Sequence, residues 1–184
     1  MRLLLSLSVL LAGFLGSSVQ AADMGVMTGE VIPHNLSLQD HTGTVQEFDD
    51  YVGAKGAVVV FVRSTDWCPY CKAQLIDLRD SGSLIEELGY SIVTVSYDGP
   101  ETLKAFHDKY KSMYLTLSDT GSDAIRAFGI ENTKYKLDHF AYGIPHPHVY
   151  VVGKDKVVQA VLSEKSFKKR PQIVSIVEAI KDLN

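Results

Sequence analysis

A pair of cysteines at the start of a predicted helix constrains the fold of this chain more than any other feature of its sequence. Cys68 and Cys71, with Pro69 and Tyr70 between them, are the two cysteines in 184 residues. The apolar run over 57–62 predicts a buried strand, and the residues after the pair predict a helix. A strand, a short loop and a helix therefore bring the pair to the N-terminus of that helix.

The first cysteine is expected to be the nucleophile. A helix N-terminus carries partial positive charge, which favours the thiolate form of Cys68. Pro69 suits the first helical turn because the N–H that it lacks has no partner there. We therefore expect Cys68 to be exposed and Cys71, one turn inside the helix, to be the resolving thiol.

Two other uses of such a pair are less favoured. As a structural cross-link it closes a very short loop, and the stabilisation by a disulfide grows with loop length. As a zinc site it lacks a second Cys-x-x-Cys pair and needs histidines. Redox chemistry is the favoured interpretation, with the Cys68–Cys71 disulfide itself as the redox centre and no other cofactor.

The first 21 residues have the pattern of a signal peptide. Arg2 supplies positive charge, 3–15 is apolar but short for a bilayer span, and the sequence before Ala21 fits cleavage after it. We expect residues 22–184 to form one exported, periplasmic domain without a stable membrane span after cleavage. In an oxidising compartment the two cysteines can form one intramolecular disulfide, with each other.

The charge of the chain argues against a nucleic acid partner. The formal net charge is -4, and no basic tract or stripe is present. The expected partners are a protein with a thiol or disulfide and an electron donor or acceptor.

The order of predicted elements indicates an α/β fold. An N-terminal hairpin is predicted from strands over 32–38 and 45–48. A second hairpin, near the C-terminal end, is predicted from strands over 149–152 and 157–162. Between them strands alternate with helices, and Pro171 opens a last helix. This alternation favours a central mixed sheet with helices on both faces.

The chain resembles the redoxin branch of the thioredoxin superfamily, which includes the AhpC/TSA proteins and exported TlpA-like oxidoreductases. The resemblance rests on Trp67–Cys71 and on weaker pieces in the same order, at 59–62, 95–98, 117–119, 127–130 and 146–152. It covers nearly all of the mature chain. It implies a thioredoxin-like fold with an extra N-terminal β-hairpin.

The resemblance also implies roles for residues far from the pair. In this superfamily a cis-proline loop faces the active-site disulfide, and Pro147 occupies that place, with Pro145 as the competing position. His146 is then expected to face Cys68 and to tune its pKa. The candidate tuning residues are Thr65, Trp67, Pro69, Tyr70 and His146.

Peroxiredoxins, within this branch, combine a Pro-x-x-x-Thr-x-x-Cys pattern with an arginine near the thiolate. Thr65 and Cys68 fit the end of that pattern, but Phe61 stands at the proline position. No arginine lies near Pro147 in the sequence, and Arg63 is the arginine near the motif. These departures favour disulfide exchange over peroxidase chemistry.

The predicted function is therefore an exported thiol–disulfide oxidoreductase. Cys68 forms a mixed disulfide with a protein or small thiol partner, and Cys71 resolves it. The alternative is a peroxiredoxin-like thiol peroxidase, an antioxidant enzyme, in which Cys68 becomes a sulfenic acid and Cys71 condenses with it.

A copper chaperone of the Sco type is the alternative outside the enzymes. Such proteins combine this fold with two cysteines and an Asp-His pair, and two thiolates with an imidazole suit Cu(I). Their cysteines are three residues apart rather than two, which counts against this reading. The weak candidate ligands are His139, His146 and His148, and no bound metal is expected.

Overall fold

The computed structural model describes residues 25–164, 166 and 168–183. The predicted signal peptide, residues 1–21, lies outside the described residues, so its removal and the start of the mature domain stay predictions. No helix in the described part is both long and apolar enough to cross a bilayer.

The described strands form one mixed sheet in the order β2-β1-β5-β4-β3-β6-β7. They are β1 (Leu38–Asp40), β2 (Val45–Gln46), β3 (Gly56–Val62), β4 (Tyr90–Ser96), β5 (Leu115–Ser118), β6 (His148–Gly153) and β7 (Val158–Ser163). β3, β4 and β5 are parallel, and the other neighbouring strands are antiparallel. The predicted mixed sheet is confirmed.

Helices cover both faces of this sheet because β3 and its neighbours are apolar on both sides. The helices are α1 (Phe48–Tyr51), α2 (Pro69–Ser81), α3 (Ser83–Glu86), α4 (Pro100–Tyr110), α5 (Asp123–Ala127) and α6 (Ile173–Lys181). One face packs on α2, α4 and α6, and the other packs on α1 and α5. The predicted two-sided α/β fold is confirmed.

The α2 helix packs on the sheet through residues spaced three and four apart. Cys71, Gln74, Leu75 and Leu78 are its buried residues, which is the spacing of one helical face. The Cys68–Cys71 pair is therefore part of the contact between α2 and the sheet.

The N-terminal hairpin is present but shorter than predicted. Its strand β1 begins only at Leu38 because Leu36 has a left-handed φ of 54°, which breaks an extended run. Asp40 closes the turn, since its Oδ1 accepts hydrogen bonds from the backbone N–H groups of Thr42 at 2.7 Å and Thr44 at 3.1 Å. Phe48 begins α1 instead of extending the second strand.

Candidate active site

The two cysteines form a disulfide at the N-terminus of α2. Cys68 is the N-cap residue, and its Sγ accepts a hydrogen bond from the backbone N–H of Cys71 at 3.3 Å. Pro69 takes the first helical position, as the sequence predicted. The strand β3, the loop after it and the helix α2 therefore place the pair at the helix N-terminus, as predicted.

The burial of Cys68 differs from the expectation of an exposed thiol. The exposed fraction is 1% for Cys68 and 0% for Cys71. Both side chains belong to the apolar cluster that contains Leu75 and Ile176. The sequence suggested exposure because it showed only the helix start, and it did not show that the chain before α6 folds back over the pair.

Arg170 comes from that segment and contacts both sulfurs. Its Nη2 atom lies 3.2 Å from Sγ of Cys71 and 3.7 Å from Sγ of Cys68. The side chain is buried, and its Nη1 donates to the carbonyl of Lys169 at 2.7 Å. Burial and, to a smaller extent, the charge of Arg63 lower the pKa of Arg170 to about 10. The guanidinium therefore stays protonated at neutral pH and favours the thiolate form of either cysteine.

Sequence reasoning missed Arg170. It lies 102 positions after Cys68, so no local spacing connects the two. The one signal was the run of basic residues Lys168, Lys169 and Arg170 just before Pro171 and the last helix.

A buried carboxylate fixes the loop between β3 and the pair. Oδ2 of Asp98 accepts hydrogen bonds from the backbone N–H of Thr65 at 2.6 Å and from its Oγ1 at 2.9 Å. Oδ1 accepts from Oγ of Ser64 at 3.0 Å, and Ser96 adds a bond to Oδ2 at 2.8 Å. Ser64 in turn accepts the backbone N–H of Trp67 at 3.3 Å. Thr65 therefore holds the loop in place through its hydrogen bonds to Asp98. The sequence had indicated Asp98 only as part of segment 95–98, which resembles the family, and had given it no role.

Trp67 packs in an aromatic cluster beside the pair. Its Nε1 donates to the hydroxyl of Tyr97 at 2.9 Å, and its ring meets Phe140 edge to face with centroids 5.3 Å apart. Arg63 lies over the same ring, 5.0 Å from its centroid, and its Nη2 donates to the hydroxyl of Tyr135 at 3.4 Å. Arg63, the arginine singled out in the sequence, therefore supports Trp67, while Arg170 contacts the sulfurs.

The strand register brings Pro147 to the same end of the sheet as the pair. His148 pairs with Phe61 near the end of β3, so Pro147 lies beside the point where the loop to Cys68 begins. The predicted cis-proline geometry is wrong, because the described part contains no cis peptide bond. The adjoining backbone is extended and bonded to a neighbouring segment, with the N–H of His146 donating to the carbonyl of Ile130 at 2.7 Å.

His146 is half-buried near Arg63 and His148. The pKa of His146 is lowered mainly by burial, and the charges of His148 and Arg63 lower it further. Within the described residues its side chain makes no hydrogen bond to either sulfur, and Arg170 occupies that role. A tuning role for His146 therefore stays a prediction. Tyr70, another predicted tuning residue, is 39% exposed.

Phe61, at the proline position of the peroxiredoxin pattern, is a buried residue of the central strand β3. It lies in β3, which pairs with β4 on one side and β6 on the other. A proline there would lack the N–H of a central strand. The Phe61 ring is fully buried on the face opposite the disulfide, where its centroid lies 4.8 Å from that of Phe128 and 5.9 Å from that of Tyr150.

Two of the three candidate metal ligands, His139 and His148, make contacts with other residues. His139 lies between the rings of Tyr135 and Phe140, with centroids 4.7 and 4.6 Å away. Nδ1 of His148 lies 3.0 Å from the carbonyl of His146. Across the residues that the structure describes, no group of three or more His, Cys, Asp or Glu side chains could hold a metal ion.

The sequence is similar to peroxiredoxins from plants and yeast. It is 26% identical to the chloroplastic peroxiredoxin Q of Triticum aestivum, over 89% of this chain and 73% of that protein. It is 31% identical to peroxiredoxin bcp1 of Schizosaccharomyces pombe, over 61% of this chain and 56% of that protein. The chain thus spans little more than half the length of some relatives that it matches.

The fold is similar to that of solved peroxiredoxin structures. Peroxidoxin BcpB from Mycobacterium tuberculosis has a TM-score of 0.67 at 21% identity, over 87% of this chain and 96% of that chain. Reduced Prx3 from Vibrio vulnificus has a TM-score of 0.70 at 18% identity, over 85% of this chain and 99% of that chain. The AhpC/TSA family model matches residues 28–161, which include both cysteines and most of the sheet, and the chain therefore belongs to the AhpC/TSA family.

Proposed function

We propose that this chain is a thiol peroxidase of the peroxiredoxin type, in which Cys68 reduces a hydroperoxide and Cys71 resolves the product. The observation that carries the proposal is the guanidinium of Arg170, 3.7 Å from Sγ of Cys68 and 3.2 Å from Sγ of Cys71. It supplies the cation that the sequence near Pro147 lacks. A thiolate stabilised in this way is the form that attacks an oxidant.

The relatives support this alternative over the disulfide exchange that the sequence alone favoured. They are peroxiredoxins, and they agree with the broader prediction of an oxidoreductase that acts through thiols. Burial supports the same choice, because only 1% of Cys68 is exposed. A disulfide on a folded partner needs an accessible sulfur, whereas a hydroperoxide is small and needs only a narrow opening.

The reaction balances with the two cysteines and a thiol donor. The Cys68 thiolate attacks one peroxide oxygen, the O–O bond breaks, and the other oxygen leaves as an alcohol or water after taking a proton. Cys68 is now a sulfenic acid. The Cys71 thiol attacks its sulfur, water leaves, and the Cys68–Cys71 disulfide forms. Two thiols from a reducing partner then return both cysteines to the reduced form and leave as a disulfide.

The test separates the two cysteines. Reduced wild-type protein mixed with hydrogen peroxide should form the Cys68–Cys71 disulfide. Cys71→Ser should stop at a sulfenic acid that a dimedone probe traps, and Cys68→Ser should not react at that rate. Equal peroxide reactivity of wild type and Cys68→Ser would contradict the proposal and would favour thiol–disulfide exchange as the function.

We also propose that the protein is exported to the periplasm, on the strength of the signal pattern in residues 1–21. A reporter that is active only outside the cytoplasm should be active when fused to this segment. Leu10→Arg places a charge in the apolar run and should abolish that activity. A reporter that stays silent behind the unchanged segment would contradict export.

A further inference from the structure

A cavity of about 590 Å³ lies between α2 and the segment before α6. This volume is in the range of sites that enclose small-molecule ligands. Arg170 is part of the lining, and the same side chain contacts both sulfurs of the disulfide. Neither cysteine lines the cavity, so a ligand bound there meets the guanidinium and not the sulfurs.

The segment before α6 gives one wall of this cavity a positive charge. Lys168 and Lys169 are exposed cations of the lining, and Arg170 is a buried one. The lining continues through Pro171 to Gln172, the N-cap residue of α6, which makes no side-chain cap hydrogen bond. A helix N-terminus carries partial positive charge and favours anions. Three cations and a helix N-terminus therefore meet along this wall.

Gln74 gives a second and independent sign of a ligand. It lines the cavity from α2 and is 6% exposed. Its Oε1 atom is buried and has no hydrogen-bond partner among the described residues. Buried polar groups of native proteins are nearly always hydrogen-bonded, so an incompletely bonded amide at a cavity wall is a group that a bound molecule can complete. The NH₂ group of the same amide can donate to a carboxylate.

The acidic residues of the lining limit which anions fit. Asp77 and Glu164 are exposed, so the charged side chains of the lining sum to +1, three positive and two negative. The cations at 168–170 are consecutive and include both exposed and buried groups, which suits several carboxylates on one molecule. A single inorganic phosphate would fill only a small part of the cavity. The ligand that fits best is therefore a small organic polycarboxylate.

We propose that this cavity is a regulatory site for a small organic polycarboxylate, which weakens the stabilisation of the Cys68 thiolate by Arg170. A thiolate and a carboxylate on either side of one guanidinium repel each other, so each disfavours the other. The disulfide carries no charge, and the oxidised protein therefore binds the anion more tightly than the thiolate form does. A slower reaction with peroxide follows only if the proposed function holds, whereas the binding and its dependence on redox state do not require that function.

Calorimetry with citrate tests the site itself. NaCl keeps the ionic strength constant, so that screening is the same in every sample. Oxidised protein should bind citrate saturably, and more tightly than inorganic phosphate. Gln74→Leu removes the amide while keeping a side chain of similar size, and it should weaken binding about two- to tenfold. Asp77→Asn removes an exposed repulsive charge and should tighten binding.

A pair of double variants tests the contribution of the exposed cations. Lys168→Gln/Lys169→Gln should weaken citrate binding about three- to tenfold. Lys154→Gln/Lys181→Gln makes the same change in net charge at two exposed lysines outside the lining, and it should bind as wild type does. Absence of saturable citrate binding, equal affinities of the two double variants, or tighter binding of phosphate than of citrate would overturn the inference.

A second measurement tests the coupling to the cysteines. At a pH above the thiol pKa, reduced protein should bind citrate about fivefold or more weakly than oxidised protein does. By the same linkage, saturating citrate should raise the midpoint pH for alkylation of Cys68 by iodoacetamide, and NaCl at equal ionic strength should not. Equal affinities of the oxidised and thiolate forms would overturn the regulatory role. Protein that shows this coupling but does not consume peroxide would contradict the peroxidase proposal instead.

Discussion

Nη2 of Arg170 lies 3.2 Å from Sγ of Cys71, across 99 positions of the chain. The contact joins the N-terminus of α2 to the segment that leads into α6. It places a buried cation on a buried disulfide, where low polarity strengthens electrostatic interactions. The reactivity of the pair therefore depends on a residue outside the Cys-x-x-Cys motif.

Replacement of Arg170 should raise the pKa of the Cys68 thiol. Arg170→Gln removes the positive charge and leaves a neutral amide donor on a shorter side chain, so the thiolate loses its charged partner. The pH dependence of alkylation by iodoacetamide measures the change. Arg126→Gln is the matched control, because Arg126 is in α5, which packs on the opposite face of the sheet. A midpoint that is the same in Arg170→Gln and wild type would show that the contact does not tune the thiol.

Asp98 should be necessary for a correctly placed Cys68 loop. Asp98→Asn replaces an acceptor of hydrogen bonds from Ser64, Thr65 and Ser96 by a group that also donates. We expect a loss of about 1–3 kcal/mol in the free energy of unfolding, measured with denaturant. Thr65→Val should lose stability and peroxide reactivity, and Thr65→Ser, which keeps the hydroxyl, should retain most of both. Equal effects of the valine and serine variants would contradict a role for this hydroxyl.

Phe61 should contribute to stability and not to the chemistry of the thiol. Phe61→Ala leaves a cavity among fully buried rings and should cost about 3–5 kcal/mol of unfolding free energy. Phe61→Leu should lose less unfolding free energy than Phe61→Ala. The pKa of the Cys68 thiol in this variant should equal that of wild type, because residue 61 packs on the other face of the sheet. Phe61→Pro removes an N–H from a strand that is paired on both sides and should be less stable than wild type, without a gain in peroxidase activity. A folded and more reactive proline variant would contradict this account of the departure from the family pattern.

His146 should make the stability of the protein depend on pH. Its pKa is lowered in the folded protein, chiefly by burial, so the unfolded chain binds the proton more readily. Stability should therefore fall as the pH decreases through the ordinary histidine value of about 6.5. His146→Gln should remove this part of the decline, as measured by denaturant unfolding between about pH 5 and 7. Parallel stability curves for variant and wild type would show that another group is responsible.

The features predicted from the sequence were those that depend on near neighbours. The strand before Cys68, the helix after it and the N-cap position follow from local patterns, and the structure has all three. The burial of Cys68 and the contact with Arg170 depend on how distant segments pack, which local patterns do not contain. The role of Asp98 was missed for the same reason, since its partners Ser64 and Thr65 lie 34 and 33 positions away.

The rate at which peroxide oxidises the reduced pair tests the central claim most directly. Reduced wild type, Arg170→Gln and Arg126→Gln are mixed with hydrogen peroxide, and formation of the Cys68–Cys71 disulfide is followed by mass spectrometry after quenching. A hydrogen bond to a charged group contributes about 1.5–3 kcal/mol, so Arg170→Gln should react about 10- to 150-fold more slowly than wild type. Arg126→Gln should match wild type. A wild-type rate no faster than that of free cysteine, or an Arg170→Gln rate equal to that of wild type, would contradict a peroxidase centre built on Arg170 and the two cysteines.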